Sequence, residues 1–376
     1  MTTVPPQASG VVYTLPRQSP PAPLDGHEVR THEAYARRIA ALKGYRYGGH
    51  WPPGGRLDQG AVDTGHAYLV PSETVCGGER RSQIGVEGVH DLFGGVVPHA
   101  HLATKVISHG VVHPHAKRPQ GWSFELQERV KPVVLPGYSA FDRQDVLEAV
   151  DRLLPKGPVR LKLAEGIGGV GQWLVRSREE AQARLDELAP ESIERGVVVE
   201  LNLEQVKTLS VGRVELHGQV MCYHGTQHEV PNNHGHMVYG GSRLQAVRGD
   251  WFELLAHAQE PTLKLACEQA LEYDEAVRDC FPGCFMSRSN YDVAQGFDAQ
   301  MHWRSVVLEQ SWRVGGATGA ELLALAAFRD DATRDAVDVS TTEAYGDGAQ
   351  VPEGADVYYQ GVDPKVGSLV KYAQVI

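Results

Sequence analysis

Lys162, Asp292, Glu309, Ser311 and Arg313 are the side chains whose types and settings could manage a charged, phosphate-like group. Asp292 and Glu309 each stand as a carboxylate inside an apolar run, in YDV and VLEQS. A carboxylate taken out of water needs a partner. The pair therefore predicts either hard-oxygen ligands for Mg2+ or ion pairs with Arg288, Arg304 or Arg313. Ser311 could add a weaker oxygen ligand, and Arg313 a fixed cation. Upstream, Lys162 lies in VRLKL, just before a stretch in which Gly166, Gly168, Gly169 and Gly171 fill four of six positions. Glycine loses much conformational entropy on folding, so such density implies a group that the backbone must approach closely. Phosphate oxygens accepting N–H bonds are one such group, and a mobile surface hairpin is the plainer alternative. No Lys-Ser/Thr follows the glycines, which excludes a Walker A loop, and they lead into WLV rather than a helix, which excludes the dinucleotide fingerprint.

Several elements must position these groups. VRLKL and QWLV read as a hairpin around the glycine turn. Asp142 predicts the N-cap of a helix over DRQDVLEAVDRLLPKG, and Ser177 with Glu180 predicts a capping box opening a helix over 177–189. GVVVELNL (196–203) reads as a strand whose end could offer backbone to the two edges of an adenine. SVGRVELHGQVMCYHG (210–225) reads as a hairpin turning at His217-Gly218, followed by a polar loop over 226–243. A helix is expected over 253–279, strands over 289–296 and 304–311, and a further helix after Gly315-Gly316. VKPVVLPGYSAF predicts a strand, and a short helix is expected near Thr104. Before them, HEVRTHEAYARRIAAL (27–42) has helical spacing and HAYLVPSETV (66–75) strand character.

Taken in order, the lysine strand, glycine loop, helix, hinge strand, hairpin and paired acidic strands resemble the ATP-grasp superfamily over roughly residues 95–328, in particular its carboxylate-amine ligases. The resemblance implies an α/β and α+β protein: an N-terminal β/α (pre-ATP-grasp-like) lobe and two α+β lobes clasping ATP and Mg2+. It puts Lys162 at the phosphate-contacting lysine, Gly168, Gly169 and Gly171 in the flexible loop, and Glu200, Leu201 and Leu203 at the adenine hinge with Glu200 toward the adenine amine. At the ribose the sequence departs from the pattern, since Lys207 and Thr208 fall near the place of the usual acid and Glu204 is slightly early, and Lys105 or Lys117 would be a further nucleotide-contacting lysine. Asp292, Glu309 and Ser311 fall at the metal positions, with Ser311 where asparagine is usual. Arg313 falls at the arginine that steadies the transferred phosphate or the carboxylate substrate. His234, His236 and Arg243 would lie beside the acceptor. The implied reaction is ADP-forming: a carboxylate is activated as an acyl phosphate and then attacked by an amine or other nucleophile.

Composition bounds the rest. The chain has 376 residues, 42% of them hydrophobic, and a net charge of −11, which argues against extended nucleic-acid binding. No apolar run reaches the length of a bilayer span. Five cysteines without paired spacing fit a reducing, cytoplasmic setting. The expected organisation is a flexible arm over 1–25, an N-terminal lobe over 26–125 and a central lobe over 126–195. A metal-bearing lobe over 196–328 and a small β-rich tail over 329–376 follow. Expected partners are a small carboxylate and a nucleophile, with a homodimer as one assembly that the reading allows. Two rivals stand beside the ligase. One is a nucleotide-binding regulatory or scaffold protein. The other is a metal-dependent hydrolase built on His99, His101, His109, His113 and His115, or on His224, His228, His234 and His236.

Overall fold

A short run buried at every position places the first strand earlier than the proline content suggests. In the computed structural model, which describes residues 10–17, 26–57, 66–166 and 171–376, β1 (Gly10–Leu15) is buried along its whole length. It is the middle strand of a sheet ordered β2-β1-β3, with β2 (Arg46–His50) and β3 (His66–Pro71) both parallel to it. The expected arm over 1–25 is therefore corrected: GVVYTL is core, and the prolines around it masked a short buried strand. Residues 1–9 and 18–25 lie outside the described residues. Helix α1 (His27–Lys43) joins β1 to β2 as a parallel pair requires, ending on Gly44 in the left-handed region. Strand β4 (Val75–Cys76), helix α2 (Gly78–Ile84) and β5 (Gly95–Val97) complete this lobe.

The next unit has one antiparallel sheet ordered β6-β9-β7-β8, made of β6 (Gly137–Ala140), β7 (Val159–Leu163), β8 (Gln172–Val175) and β9 (Val197–Leu201). Helices α3 (Phe124–Val130), α4 (Arg143–Leu153), α5 (Arg178–Asp186) and α6 (Pro190–Arg195) accompany it. Asp142 caps α4 by accepting from the Asp145 N–H at 2.9 Å. Ser177 caps α5, but Glu180 accepts the N–H of Arg176 at 2.7 Å, so the reciprocal box does not close. Of the strand expected over VKPVVLPGYSAF, Gly137–Ala140 forms β6, whereas Lys131–Val133 is a 3-10 turn, because Pro132 has no N–H to give a ladder. Two short 3-10 helices, Ala100–Ala103 and Lys105–Ser108, stand where a helix near Thr104 was expected.

The remaining strands form one antiparallel sheet, ordered β15-β14-β10-β11-β12-β16-β18-β17. They are β10 (Glu204–Leu216), β11 (Gln219–Pro231), β12 (Met237–Arg248), β14 (Arg288–Phe297), β15 (Trp303–Ser311), β16 (Ala336–Tyr345), β17 (Asp356–Asp363) and β18 (Gly367–Val375). β13 (Phe285–Met286) pairs with β5 instead. Two expectations are corrected. The polar loop over 226–243 is mostly strand, since cross-strand pairing carries polar residues where one face stays wet. The tail is no appendage, because β16 pairs with β12 and extends the same sheet. Pro261 splits the helix expected over 253–279 into α7 (Trp251–His257) and α8 (Pro261–Cys280).

Register decides which side chains share a face of this sheet. Asp292 opposes Ser210 and Glu309, and Gln227 opposes Ser242; these belong to the face on which α9 (Thr318–Asp330) packs, below called the cleft face. Tyr291, Val211, His224, Gln245 and Asp338 form a row on the opposite, back face, where Tyr291 bonds Asp274 of α8. Successive residues of a strand alternate between the two.

Candidate nucleotide and metal site

A bulge in β15 sets the acidic pair. Asp292 opposes Glu309, yet Val293 opposes Val307, leaving Leu308 as the extra residue. The bulge puts both Val306 and Glu309 on the cleft face, which strict alternation would forbid for residues three apart. Both carboxylates are half-buried. Asp292 accepts from Gln227 Nε2 at 2.7 Å. Its pKa is pushed up to about 7, first by desolvation and then by the charge of Glu309. Lys105, only 4% exposed, reaches Glu309 Oε2 at 2.8 Å and the carbonyl of Gly166 at 2.7 Å. The ion pairs weighed as the alternative for these carboxylates do not form: Arg288 is spent on Glu321 at 2.7 Å, and Arg304 on Asp298 at 2.8 Å. One ammonium facing two recessed carboxylates leaves an excess negative charge, and all the donors are oxygen. That set fits a hard divalent cation such as Mg2+. Ser311 lies beside it with its Oγ 3.4 Å from Arg288 Nη1, and Asn290, its register partner, is committed to Ser210 at 2.6 Å and Tyr223 at 3.0 Å.

The hinge differs from the expectation at one side chain. Glu200 turns inward, paired with Lys162 and, at 2.9 Å, with His109 Nε2. Burial alone would raise its pKa, but the Lys162 charge and the His109 hydrogen bond outweigh that and hold it at about 2. The Glu200 carboxylate is thus committed to this buried triad rather than turned toward the place expected for an adenine amine. The Leu201 N–H is taken by Pro136 at 3.1 Å, whereas the Leu203 N–H finds no partner among the described residues. Leu203 also joins Leu135, Ala294, Val306 and the half-buried Leu308 in a small apolar cluster separate from the main core. It suits a flat apolar ring, and Leu135, Ala294, Val306 and Leu308 were not singled out from sequence. The one available signal was Leu308 beside Glu309, legible only with the bulge. Glu204 stands exposed at the start of β10.

Gly171 (φ +73°) gives its carbonyl to the Leu163 N–H at 2.9 Å, closing the lysine hairpin in a conformation that favours glycine. Gly168 and Gly169 lie outside the described residues. Lys117 is exposed and paired with Glu194 at 2.9 Å, so Lys105 is the lysine that joins the acidic pair. Arg313 donates to the carbonyl of Val314 at 2.9 Å. Its pKa is lowered by burial and then by Arg288, and its charge in turn helps burial push His32 of α1 down to about 3. His32 was not anticipated, because only the fold brings α1 against the segment after β15. The three expected acceptor contacts do not gather here. His234 and His236 sit exposed on the β11–β12 turn, held by Asn232, and Arg243, opposing Thr226, points to the back face. Neither histidine cluster gathers into a metal site: among the described residues, the one group of three metal-type donors is His113 with Asp145 and Glu148.

A lysine-bearing antiparallel sheet facing a long sheet with paired acids, behind a parallel β/α lobe, is the ATP-grasp fold. The structure resembles N5-carboxyaminoimidazole synthetase from Staphylococcus aureus complexed with ADP, with a TM-score of 0.55 at 11% identity, covering 98% of this chain and 94% of that one. It also resembles a biotin carboxylase–β,γ-ATP complex from Campylobacter jejuni, with a TM-score of 0.51 at 9% identity, covering 98% and 87%. No curated protein matches the sequence. Residues 14–373 match the family described as "Protein of unknown function (DUF3182)", and the chain belongs to that family.

Proposed function

We propose that this protein is an ATP-dependent, ADP-forming ligase that activates a carboxylate as an acyl phosphate for attack by an amine or other nucleophile. The observation that carries the reading is the half-buried Asp292–Glu309 pair with Lys105 bridging Glu309 to Gly166. The similar solved structures, which hold ADP and an ATP-type nucleotide, support the choice of ligand.

Asp292 and Glu309, with Ser311 beside them, would hold Mg2+, which supplies charge neutralisation for the phosphates when bound. Leu203 would offer its N–H to an adenine ring nitrogen, and the cluster around Leu308 would take the ring faces. Lys105 would place a cation on the phosphate chain. Arg313 would orient the acid so that one carboxylate oxygen lies in line with the γ-phosphorus. The oxygen–phosphorus bond then forms as the β,γ-bridge bond breaks and ADP leaves. Attack of the nucleophile on the acyl carbon expels phosphate, and the nucleophile's proton passes to solvent or to phosphate.

Thermal unfolding with and without Mg-ADP tests the nucleotide half: at about a hundred times its dissociation constant the nucleotide should stabilise by about 2.7 kcal/mol. No shift would refute it. Release of ADP and phosphate across a panel of acids and amines tests the chemistry, and a shift without turnover for any pair would favour the regulatory reading. That reading has one supporting observation of its own, a serine at 311 where the ligases' second metal ligand is usually asparagine.

A further inference from the structure

The back face of the long sheet carries a cavity of about 340 Å3 that the nucleotide reading leaves unused. It is within the size range of small-molecule sites, roughly 300–1,000 Å3. Its floor is His224, 7% exposed, whose Nε2 has no hydrogen-bond partner among the described residues. Burial, and then His257, lowers its pKa to about 4, so the ring is neutral at physiological pH. A buried polar atom left without a partner costs free energy, and a ligand group in the cavity would supply one.

The rim is charged in both senses. Lys207 and Arg243 project, exposed, from β10 and β12. Asp338 stands beside Arg243 on the neighbouring strand β16, and Glu260, the N-cap of α8, lies near Lys207. Among the described residues, the Asp338 carboxylate bonds only Gln245 Nε2, at a long 3.4 Å. Leu209 and Leu263 supply apolar wall. An inorganic anion would be repelled by the two acids and would leave the leucines idle, and a simple fatty carboxylate would use only the cationic side. We infer that the cavity binds a free α-amino acid with an apolar side chain, its carboxylate on Arg243 and Lys207 and its ammonium on Asp338. Thr226 and Gln227, adjacent on β11, put this pocket and the Asp292 hydrogen bond on opposite faces of the same strand. The amino acid site is therefore distinct from the proposed nucleotide cleft, and its test does not depend on that reading.

Calorimetric titration of the full chain with L-leucine, L-phenylalanine and L-methionine is the direct experiment, with leucinamide and 4-methylpentanoate as probes that each lack one pole. Saturable binding of at least one amino acid is expected. Each single-pole analogue should bind about tenfold or more weakly, since one charged hydrogen-bonded contact is lost. Arg243→Gln and Asp338→Asn, both at exposed positions, should weaken binding to the same extent while circular dichroism shows an intact fold. No saturable binding up to about 10 mM, equal affinity for 4-methylpentanoate and leucine, or unchanged affinity in both folded variants would each overturn the proposal. The analogue comparison uses wild-type protein alone, so it decides the matter even where a variant fails to fold.

Discussion

Replacing Asp292 with asparagine should make the protein without ligands more stable and should remove most of the stabilisation that ligands bring. The native carboxyl ionises near pH 7 against 3.8 for an ordinary aspartate, because it is desolvated and faces Glu309. The folded protein thus holds this proton more tightly than the unfolded chain does. The Asp292 contribution to stability is greatest below about pH 3.8, falls as pH rises toward 7 and stays level above that. A displacement of that size corresponds to about 4 kcal/mol, the ceiling on what ionised Asp292 costs at about pH 8.5. An asparagine side chain carries no charge and can still accept the Gln227 hydrogen bond. In chemical denaturation, Asp292→Asn should match wild type near pH 4 and exceed it at about pH 8.5, by about 2 to 4 kcal/mol. Adding Mg-ADP should then stabilise wild type and leave the variant nearly unmoved, since half of the acidic pair is missing. The reasoning fails if the variant is no more stable than wild type at that higher pH, or if its Mg-ADP shift is undiminished.

Lys162→Met should cost about 3 kcal/mol by leaving the buried Glu200 charge with His109 as its one remaining partner, and Lys162→Met with Glu200→Leu should recover much of that in urea melts. Because Glu200 is held at about 2, its contribution is present above about pH 4.5 and is lost as pH falls through 2; Glu200→Gln should flatten the acid limb of the stability–pH curve. Ser311→Asn should strengthen Mg2+ binding several-fold in a nucleotide titration, and unchanged affinity would remove Ser311 from the metal set. Arg313→Ala should leave Mg-ADP binding within about threefold of wild type while abolishing acid-dependent ADP release.

Much of the site was legible because its residues break local pattern. A carboxylate in YDV or in VLEQS is costly unless used, and both carboxylates meet across one sheet. Lys162 was legible as a residue and not as a contact: its partner Glu200 is 38 positions away, and His109 arrives from a segment with no periodic signal. Arg243, by contrast, was placed beside the acceptor by the resemblance alone. Register settled it, since one step along β12 separates the cleft face from the back face. The buried β1 was hidden because six residues between prolines show too little period to be separated from a loop. The apolar cluster around Leu308 depends on a one-residue bulge, which no single-sequence pattern announces.

The position of Lys105 has a consequence for how ligands would enter. Without metal or nucleotide, its ammonium serves as an internal counterion, bound to Glu309 on one side and to the first carbonyl of the glycine stretch on the other. Loading the acidic pair with a divalent cation would then be an exchange of cations rather than a simple addition. The displaced ammonium would become available to a phosphate, and the glycine stretch would lose its tether at Gly166. Metal and nucleotide would each make room for the other, so their binding should be mutually reinforcing, with each tightening the other by the same factor.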